Sequence, residues 1–146
     1  MIMTEHVEQY EQQDKEEEQG GNMITVKERT MIRDLILLPF IDTMVGKSIE
    51  EIERSGSLLT RTYVMAGRCI QHRIMQDTYR LQRELKQRNI RVIADEQEDI
   101  LIYYKIFFRG YQERFGMTRD VMRSEISLRL TRYTSELGAF LKEYLK

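Results

Sequence analysis

The sequence is poor in the residues that build disulfide frameworks and metal centres. It has one cysteine, one proline, two histidines and no tryptophan among 146 residues. A single thiol cannot form an internal disulfide, and secreted domains of this size usually carry an even set, so the composition favours a reducing, cytoplasmic compartment. A structural metal needs about four ligands, and the histidines and cysteine are too few to supply them. We therefore expect no metal and no cofactor.

The chain also lacks a long hydrophobic run. Its most apolar stretch, from Met31 to Val45, is interrupted by Arg33, Asp34, Pro39 and Asp42. It is shorter than the roughly 20 apolar residues that a bilayer span requires. The first 22 residues have neither the basic start nor the apolar centre of a secretory signal. The sequence therefore predicts no membrane segment and no export signal.

Charge is distributed unevenly along the chain. Residues 1–22 contain seven acidic residues and one lysine, a net charge of −6, whereas the whole chain has a net charge of −1. This segment is polar and ends in Gly20-Gly21-Asn22, so it cannot bury enough apolar area to offset the entropy of ordering it. We predict a disordered acidic tail over 1–22 and a single, mainly helical domain over 23–146.

Capping signatures mark the first two predicted helices. Thr25 and Glu28 form a capping box at the start of a long helix, which Gly46 is placed to end. Ser48 and Glu51 repeat the signature and predict a separate short helix.

Two more long helices follow. Apolar residues at helical spacing predict one over residues 57–88, and Asp77 interrupts its apolar side. A buried carboxylate without a partner is costly, so Asp77 should face an arginine or lie at the edge of the bundle. The last helix starts after a Thr118 cap and runs to the end of the chain.

The segment between these two helices is ambiguous. Residues 90–93 and 101–108 are rich in β-branched and aromatic residues and flank a polar run, which indicates a β-hairpin near 90–108. Aromatic residues of this region also recur at helical spacing, so an all-α alternative stays open. In both cases the rings are expected to fill the core. The predicted fold class is mainly α: a small helical bundle of three long amphipathic helices plus one short helix, with the hairpin.

No combination of residues predicts catalysis. Cys69 and His72 lie one helical turn apart, but a nucleophile also needs an orienting group and an oxyanion site, which nothing in the sequence indicates. We assign them structural roles, Cys69 as a small buried residue and His72 as a partly exposed polar one. The glycines match neither the P-loop nor the dinucleotide-binding spacing. We expect no enzymatic activity, no catalytic residue and no small-molecule substrate.

The second long helix and its exit carry positive charge that suits an anionic partner. Between Ser57 and Ala94 eight basic residues stand against two acidic ones, and seven of the eight are arginines, whose planar fork can donate twice to one phosphate. A solvated basic face explains this composition equally well. The candidate anion or nucleic-acid surface comprises Arg61, Arg68, Arg73, Arg80, Arg83, Lys86, Arg88, Arg91 and Arg109. The tethered acidic tail is placed to fold over this helix and compete with such a partner.

The last helix has an apolar seam that predicts a helical partner. Its apolar residues alternate at spacings of four and three, as in coiled coils, with Arg129, Arg132 and Glu136 placed to flank them. The candidate self-association residues are Ile126, Leu130, Tyr133, Leu137, Phe140 and Tyr144.

Three stretches of the sequence are similar to a group of bacterial proteins. The chain resembles small uncharacterised cytoplasmic helical proteins of Bacillus-type spore-forming bacteria in three places: the stretch LILLPFIDTMV, an Arg-rich helix ending near RNIRVI, and YYKIFFRGYQERF before a final amphipathic helix. The resemblance covers roughly Leu35 to Leu145. It implies a bacterial origin and carries over no catalytic or ligand residue.

The sequence thus favours a small non-enzymatic interaction or regulatory protein that acts through helical surfaces and self-associates. The alternative is a nucleic-acid-associated regulator that uses the Arg-rich second helix. The expected partner is a protein or a second copy of the chain, nucleic acid is the alternative partner, and no membrane is expected.

Overall fold

The computed structural model describes residues 23–145, apart from the side chain of Tyr144, and has an α+β fold. The predicted acidic tail, residues 1–22, lies outside the described residues. The elements in chain order are α1 (Val26–Arg54), α2 (Thr60–Gln87), β1 (Ile90–Gln97), β2 (Leu101–Phe108), β3 (Tyr111–Thr118) and α3 (Arg119–Leu145). The three strands form one antiparallel sheet in the order β1-β2-β3.

The prediction of a helical bundle with a separate short helix is wrong. The residues assigned to a long and a short helix form one continuous helix, α1, which runs through Gly46 and Ser48 to Arg54. Val45 and Ile49 on either side of the expected break are both buried. Burial of this apolar stripe outweighs the local stop signal, because helical propensity is weaker than tertiary packing.

The sheet is the second departure from the predicted fold. β1 and β2 pair where the hairpin was expected, from Ile90 opposite Phe108 to Gln97 opposite Ile102. The following residues, Tyr111–Thr118, form a third strand that pairs with β2 along its whole length. The region from 90 to 118 is therefore a sheet layer of the fold, which rules out the all-α alternative and the bundle.

α1 and α2 form the centre of the helical layer. The largest buried side chains of α1 include Ile32, Leu37 and Ile41. The two helices approach closely at Gly67 of α2, where a Cβ atom would lie 2.8 Å from Cγ1 of Ile49. A larger residue would separate the helices or distort Ile49, which makes this glycine a packing requirement.

The two faces of the sheet differ because side chains alternate along each strand. On the inner face Ile102, Ile106 and Phe108 of β2 join the helical core, together with Met117 of β3. The aromatic residues of this region were all expected in the core, and only part of them lie there. Tyr103 and Phe107 lie on the outer face of the sheet, where the guanidinium groups of Arg114 and Arg91 stack over them at 3.7 and 5.2 Å from the ring centroids.

The turn between β2 and β3 has an unusual composition. Arg109 and Gly110 both have positive φ, 46° and 88°, as in the two-residue turns of β-hairpins. Such turns favour Asn-Gly, because an L-residue with a long side chain is strained there. Asn89, before β1, also has positive φ, and its carbonyl accepts a hydrogen bond from the Arg109 backbone N–H at 3.2 Å.

α3 runs antiparallel to α2 and packs against α1 as well. Its predicted Thr118 cap is confirmed, since the hydroxyl accepts from the backbone N–H of Val121 at 3.2 Å. Tyr133 is buried, and its hydroxyl donates to Asp77 of α2 at 2.5 Å. Asp77 also lies 3.7 Å from Arg80, so the expectation that it faces an arginine is confirmed. Burial raises the pKa of Tyr133, and the hydrogen bond and charge of Asp77 raise it further.

Candidate functional site

The first notable site is a cluster of charged residues at the start of α1, which we call the arginine corner: Glu28, Arg88, Arg91 and Arg109. Glu28 is 2% exposed, although it is a charged residue in the first helical turn. Its Oε1 accepts from the Thr25 backbone N–H at 3.1 Å, which completes the predicted capping box. Its two oxygens also accept from both terminal nitrogens of Arg109 at 3.3 Å, and Oε2 accepts from Arg88 at 3.5 Å.

The electrostatics of this corner keep Glu28 ionised. Burial raises the pKa of Glu28, but hydrogen bonds from Arg109 and the Thr25 backbone, the Arg109 charge and a hydrogen bond from Arg88 together hold it below its ordinary value. Arg109 and Arg88 therefore donate to the same carboxylate.

Arg109 connects the corner to the beginning of the described chain. Its Nη2 donates to the Met23 carbonyl at 2.6 Å, and its Nη1 also reaches the Arg88 carbonyl at 3.4 Å. Within residues 23–145 its Nε is buried and has no acceptor. This guanidinium therefore has more donors than the described part of the chain satisfies.

An open cavity of about 630 Å³ adjoins the corner at the end of the sheet. It is lined by Asn89, Arg91, Phe107, Phe108, Arg109, Gly110, Tyr111 and Gln112. Arg91 stacks on Phe107 and forms no ion pair with any described residue, and the Tyr111 ring stacks on Phe108 at a centroid distance of 5.7 Å. Chemically, the cavity offers guanidinium donors beside aromatic rings, which suits carboxylates, phosphates and planar groups.

The predicted basic surface is not one continuous face. Three of its arginines pair at 3.7–3.9 Å with acidic neighbours: Arg68 with Glu53, Arg73 with Glu136, and Arg80 with Asp77 and Glu84. Arg61 and Arg83 form no ion pair with a described residue, but 22 residues of helix place them roughly 33 Å apart along the axis. Lys86, Arg88, Arg91 and Arg109 instead gather at the other end of α2, near the cavity.

A second candidate site lies at the opposite end of the helical layer. The Arg73–Glu136 pair shows that the last turns of α3 run towards the start of α2. Large apolar side chains are exposed there, among them Phe140 at 68%, Leu145 at 83% and Leu58 at 98%. We call this surface the distal end; it comprises Leu58, Leu59, Tyr63, Phe140, Leu141 and Leu145.

The predicted seam of α3 is divided between the core and this surface. Ile126 and Tyr133 are buried within the protomer, and Leu130 and Leu137 are half-buried. Phe140 is exposed, and the Tyr144 side chain lies outside the described part of the structure. A coiled coil along the whole seam is therefore not supported, because the chain uses the first half of the seam for its own core.

Two of the three flanking charges of the seam, Arg129 and Glu136, are also engaged within the chain. Arg129 is buried and donates to Asp34 of α1 at 2.8 Å and to Glu125 at 2.5 Å. Burial lowers the pKa of Arg129, but these two carboxylates raise it by a larger amount. The Arg129–Asp34 pair and the arginine pairs of Glu28 are not visible in the sequence, because these partners are 60 to 95 residues apart.

An apolar groove of about 320 Å³ lies between α1 and α2, with Leu130 of α3 at its edge. Its lining is mainly aliphatic and aromatic, and it includes Met44, Ile52, Tyr63 and Ile70. Tyr63 lines this groove and lies one helical turn after Leu59 of the distal end.

The remaining chemical candidates are isolated. Cys69 is exposed, which contradicts the buried role expected for it. His72 is exposed, and its ring nitrogen lies 3.3 Å from the Gln76 amide. Over residues 23–145 there is no group of three or more His, Cys, Asp or Glu residues able to hold a metal ion. No helix in that range is long and apolar enough to cross a membrane.

Comparison with known proteins gives the chain a family. No curated protein and no solved structure matches it. The sequence profile described as YhjD protein matches residues 23–138, which include all three strands and most of α3. The chain therefore belongs to the YhjD protein family.

Proposed function

We propose that this protein is a non-enzymatic interaction or regulatory protein that self-associates through its distal end. The observation that carries the proposal is the apolar seam of α3, which continues beyond Leu137, where the protomer stops covering it. In a monomer, Phe140 and Leu145 expose large apolar side chains to water. Such exposure favours association with another apolar surface.

The shape of the distal end suits a second copy of the same chain. Gly138 and Ala139 are small and lie beside Phe140, so a partner backbone can approach closely. The neighbouring groove between α1 and α2 offers an apolar receptor for a projecting helix end. In a two-fold dimer each copy presents both the projecting end and the groove, which makes one patch self-complementary.

The cellular setting is part of the same proposal. The single cysteine supports a cytoplasmic location, because nothing in the chain depends on an oxidising compartment. The sequence resemblance supports a Bacillus-type bacterial lineage.

Replacing Phe140 and Leu141 together by Glu is expected to abolish the dimer. Four charges would meet at the two-fold interface in place of apolar side chains at its centre, and we expect the dissociation constant to rise by at least about 100-fold. Sedimentation velocity across the micromolar range measures this. Leu128→Glu is the matched control, because Leu128 is exposed on the same helix but outside the distal end.

The controls decide how this experiment is interpreted. Leu128→Glu should remain dimeric, and the double variant should keep its circular dichroism spectrum and melting temperature. If the double variant and the full chain sediment identically, or if Leu128→Glu dissociates equally, the distal end is not the interface.

A second candidate function, association with single-stranded nucleic acid, is favoured by the outer face of the sheet. Register places Arg91 opposite Phe107, and Lys105 opposite Arg114. Basic side chains interleaved with Tyr103 and Phe107 resemble the stacking platforms that bind successive bases. The candidate nucleic-acid surface is therefore the outer face of the sheet and not the length of α2.

Fluorescence anisotropy with short single-stranded RNA and duplex DNA tests this alternative. Arg91→Gln with Lys105→Gln is expected to weaken binding of single-stranded RNA and to lower the log–log salt slope by about 1.4 units, about 0.7 for each phosphate that the variant no longer neutralises. Arg61→Gln, at the far end of α2, is the matched control and should leave the slope unchanged. No binding by the full chain at low salt, or equal weakening in the control, contradicts the sheet interface.

A further inference from the structure

We propose that the free edge of β3 binds an extended, acidic segment of a partner protein, which joins the sheet as a fourth and antiparallel strand. We call this surface the β3 edge; it consists of the outward-pointing backbone groups of Gln112, Arg114 and Gly116. The inference goes beyond self-association, because it concerns the sheet and a different protein. Its test therefore does not depend on the distal end.

The hydrogen-bond pattern of the sheet identifies the backbone groups at this edge. Arg109 and Gly110 form the two-residue turn between β2 and β3, so the flanking Phe108 and Tyr111 are a hydrogen-bonded pair. Hydrogen-bonded and non-hydrogen-bonded pairs alternate along an antiparallel ladder. Apart from the terminal Thr118, the residues of β3 whose N–H and C=O groups point away from β2 are Gln112, Arg114 and Gly116.

These outward-pointing groups are available for pairing. Their N–H and C=O groups form no hydrogen bond with any of residues 23–145. All three residues are exposed, so the edge faces solvent. A row of unpaired backbone groups of this kind is a template for another strand, and proteins usually block it with a bulge, a proline or a charged side chain.

β1, the other edge of the sheet, carries two of these blocks. Its register with β2 shifts between Ala94 and Gln97, and the acidic residues Asp95 and Glu96 lie at this irregularity. Such a feature interrupts the pairing of a further strand. β3 has a regular register with β2 along its whole length and contains no proline. An added strand therefore fits β3 better than β1.

The side chains at the β3 edge leave it accessible. Arg114 does not project beyond the edge, because its side chain crosses β2 and pairs with Asp95 and Glu96 of β1 at 3.5 Å. Its guanidinium lies 3.7 Å from the centroid of the Tyr103 ring. Gly116 has no side chain, and a Cβ atom there would lie 3.0 Å from the same ring. The one basic side chain of the edge is thus held over the sheet instead of guarding the backbone.

The two faces of the sheet determine the chemistry of the partner segment, because side chains of an added strand alternate between them. On the inner face the neighbours are apolar Phe115 and Glu113, whose charge is already paired with Arg29 at 2.9 Å. On the outer face Arg91 and Lys105 form no ion pair with a described residue. The segment that fits therefore alternates apolar residues, facing inwards, with acidic residues facing outwards.

A synthetic peptide of this pattern is the probe, titrated into the isotope-labelled full chain and followed by NMR. We expect acetyl-TVEVEVEVT-amide to bind with a dissociation constant below about 1 mM. The amide protons of Gln112, Arg114 and Gly116 should move downfield and become protected from solvent exchange, because they acquire acceptors. The control acetyl-TVKVKVKVT-amide has the same pattern and the opposite charge, and it should bind at least about 10-fold more weakly.

Backbone methylation of the probe separates main-chain pairing from charge. Residues directly opposite each other in an antiparallel pair share a face, so the glutamate N–H groups point to β3 and the valine N–H groups point to solvent. N-methylation of the central glutamate should weaken binding roughly 5-fold or more, because one hydrogen bond is lost. N-methylation of a neighbouring valine should change the affinity by less than about 2-fold, since that N–H has no partner in the complex.

A variant of the edge gives a second, independent readout. Gln112→Pro removes an N–H that points to solvent, which edge strands tolerate, and places the proline ring in the path of an added strand. We expect it to weaken binding of the glutamate peptide roughly 5-fold or more. Gln112→Ala, which keeps the N–H, is the matched control and should bind like the original chain.

Several results would overturn the proposal. One is the absence of binding by the glutamate peptide at about 1 mM. Another is equal affinity of the two N-methylated peptides, and with shifts confined to Arg91 and Lys105 it would show a polyanion on the outer face, as for RNA, in place of an added strand. Equal binding of the lysine peptide would contradict an acidic partner. If Gln112→Pro does not fold, the N-methylated peptides decide the question on the original chain.

Discussion

Replacing Glu28 by Gln is expected to lower the free energy of unfolding by about 3 kcal/mol at neutral pH. Removing one partner of a buried ion pair typically costs 3–5 kcal/mol, because the remaining charge stays desolvated without compensation. The lower end of this range applies, since the Arg88 and Arg109 side chains keep 28% and 23% of their exposure to water. Urea unfolding followed by circular dichroism measures the change, with Glu51→Gln, an exposed carboxylate on the same helix, as the control.

The pH dependence of the Glu28→Gln effect follows from the sign of the pKa shift. The pKa of Glu28 in the folded protein lies below its ordinary value near 4.5, so the carboxylate stabilises the fold fully above that value. This stabilisation is lost as the pH falls through the folded-state pKa. The difference between the original chain and Glu28→Gln should therefore shrink in acid. A difference that is constant with pH, or no larger than that of Glu51→Gln, would contradict the role assigned to the arginine corner.

Arg129→Leu is expected to destabilise the fold by about 2–3 kcal/mol. The substitution removes the Arg129–Asp34 pair between α1 and α3, so Asp34 loses its cation, and it leaves Glu125 with Arg33 at 3.9 Å as its remaining cation. Both carboxylates are about one-quarter exposed, which limits the cost. Leucine fills part of the space and keeps the apolar contacts of the arginine stem, so the destabilisation reports mainly on the ion pairs.

Arg132→Leu serves as the control for Arg129→Leu, because Arg132 is exposed on the same helix. We expect it to change stability by less than about 0.5 kcal/mol, as is usual for surface positions. Adding Asp34→Asn to Arg129→Leu should recover part of the stability, because the carboxylate that lost its cation disappears. No recovery would show that packing rather than charge explains the effect.

The helices were largely predictable from the sequence because their signals are local. Thr25, Glu28 and Thr118 act as caps through residues three positions away, and the apolar spacing fixes which face is buried. The stop at Gly46 was the exception. A helix continues through a glycine when the residues beyond it bury against a neighbour, and that neighbour is not visible in a local pattern.

The third strand was missed because its sequence is weakly patterned. Tyr111–Thr118 alternates Phe115 and Met117 on the inner face with polar residues and Gly116 on the outer face. Gly116 lies against the Tyr103 ring of β2, where a Cβ atom would be 3.0 Å away. The turn before it carries Arg109 where such turns favour Asn, which removed the clearest hairpin signal.

The candidate sites depend on contacts that a sequence pattern does not specify. Periodicity predicted that the α3 seam needs a partner, but it cannot distinguish a partner within the chain from one in a second copy. The structure assigns Ile126 and Tyr133 to the core and leaves Phe140 outside it. The basic residues of α2 were likewise visible, but their pairing with acidic neighbours depends on packing.

Sedimentation velocity of the unmodified full chain across the micromolar range tests the proposed self-association most directly. We predict a concentration-dependent shift from the monomer mass to twice that mass, since the distal end exposes several large apolar side chains. A single species with the mass of one chain at every concentration would contradict self-association and leave the distal end as a surface for a different partner.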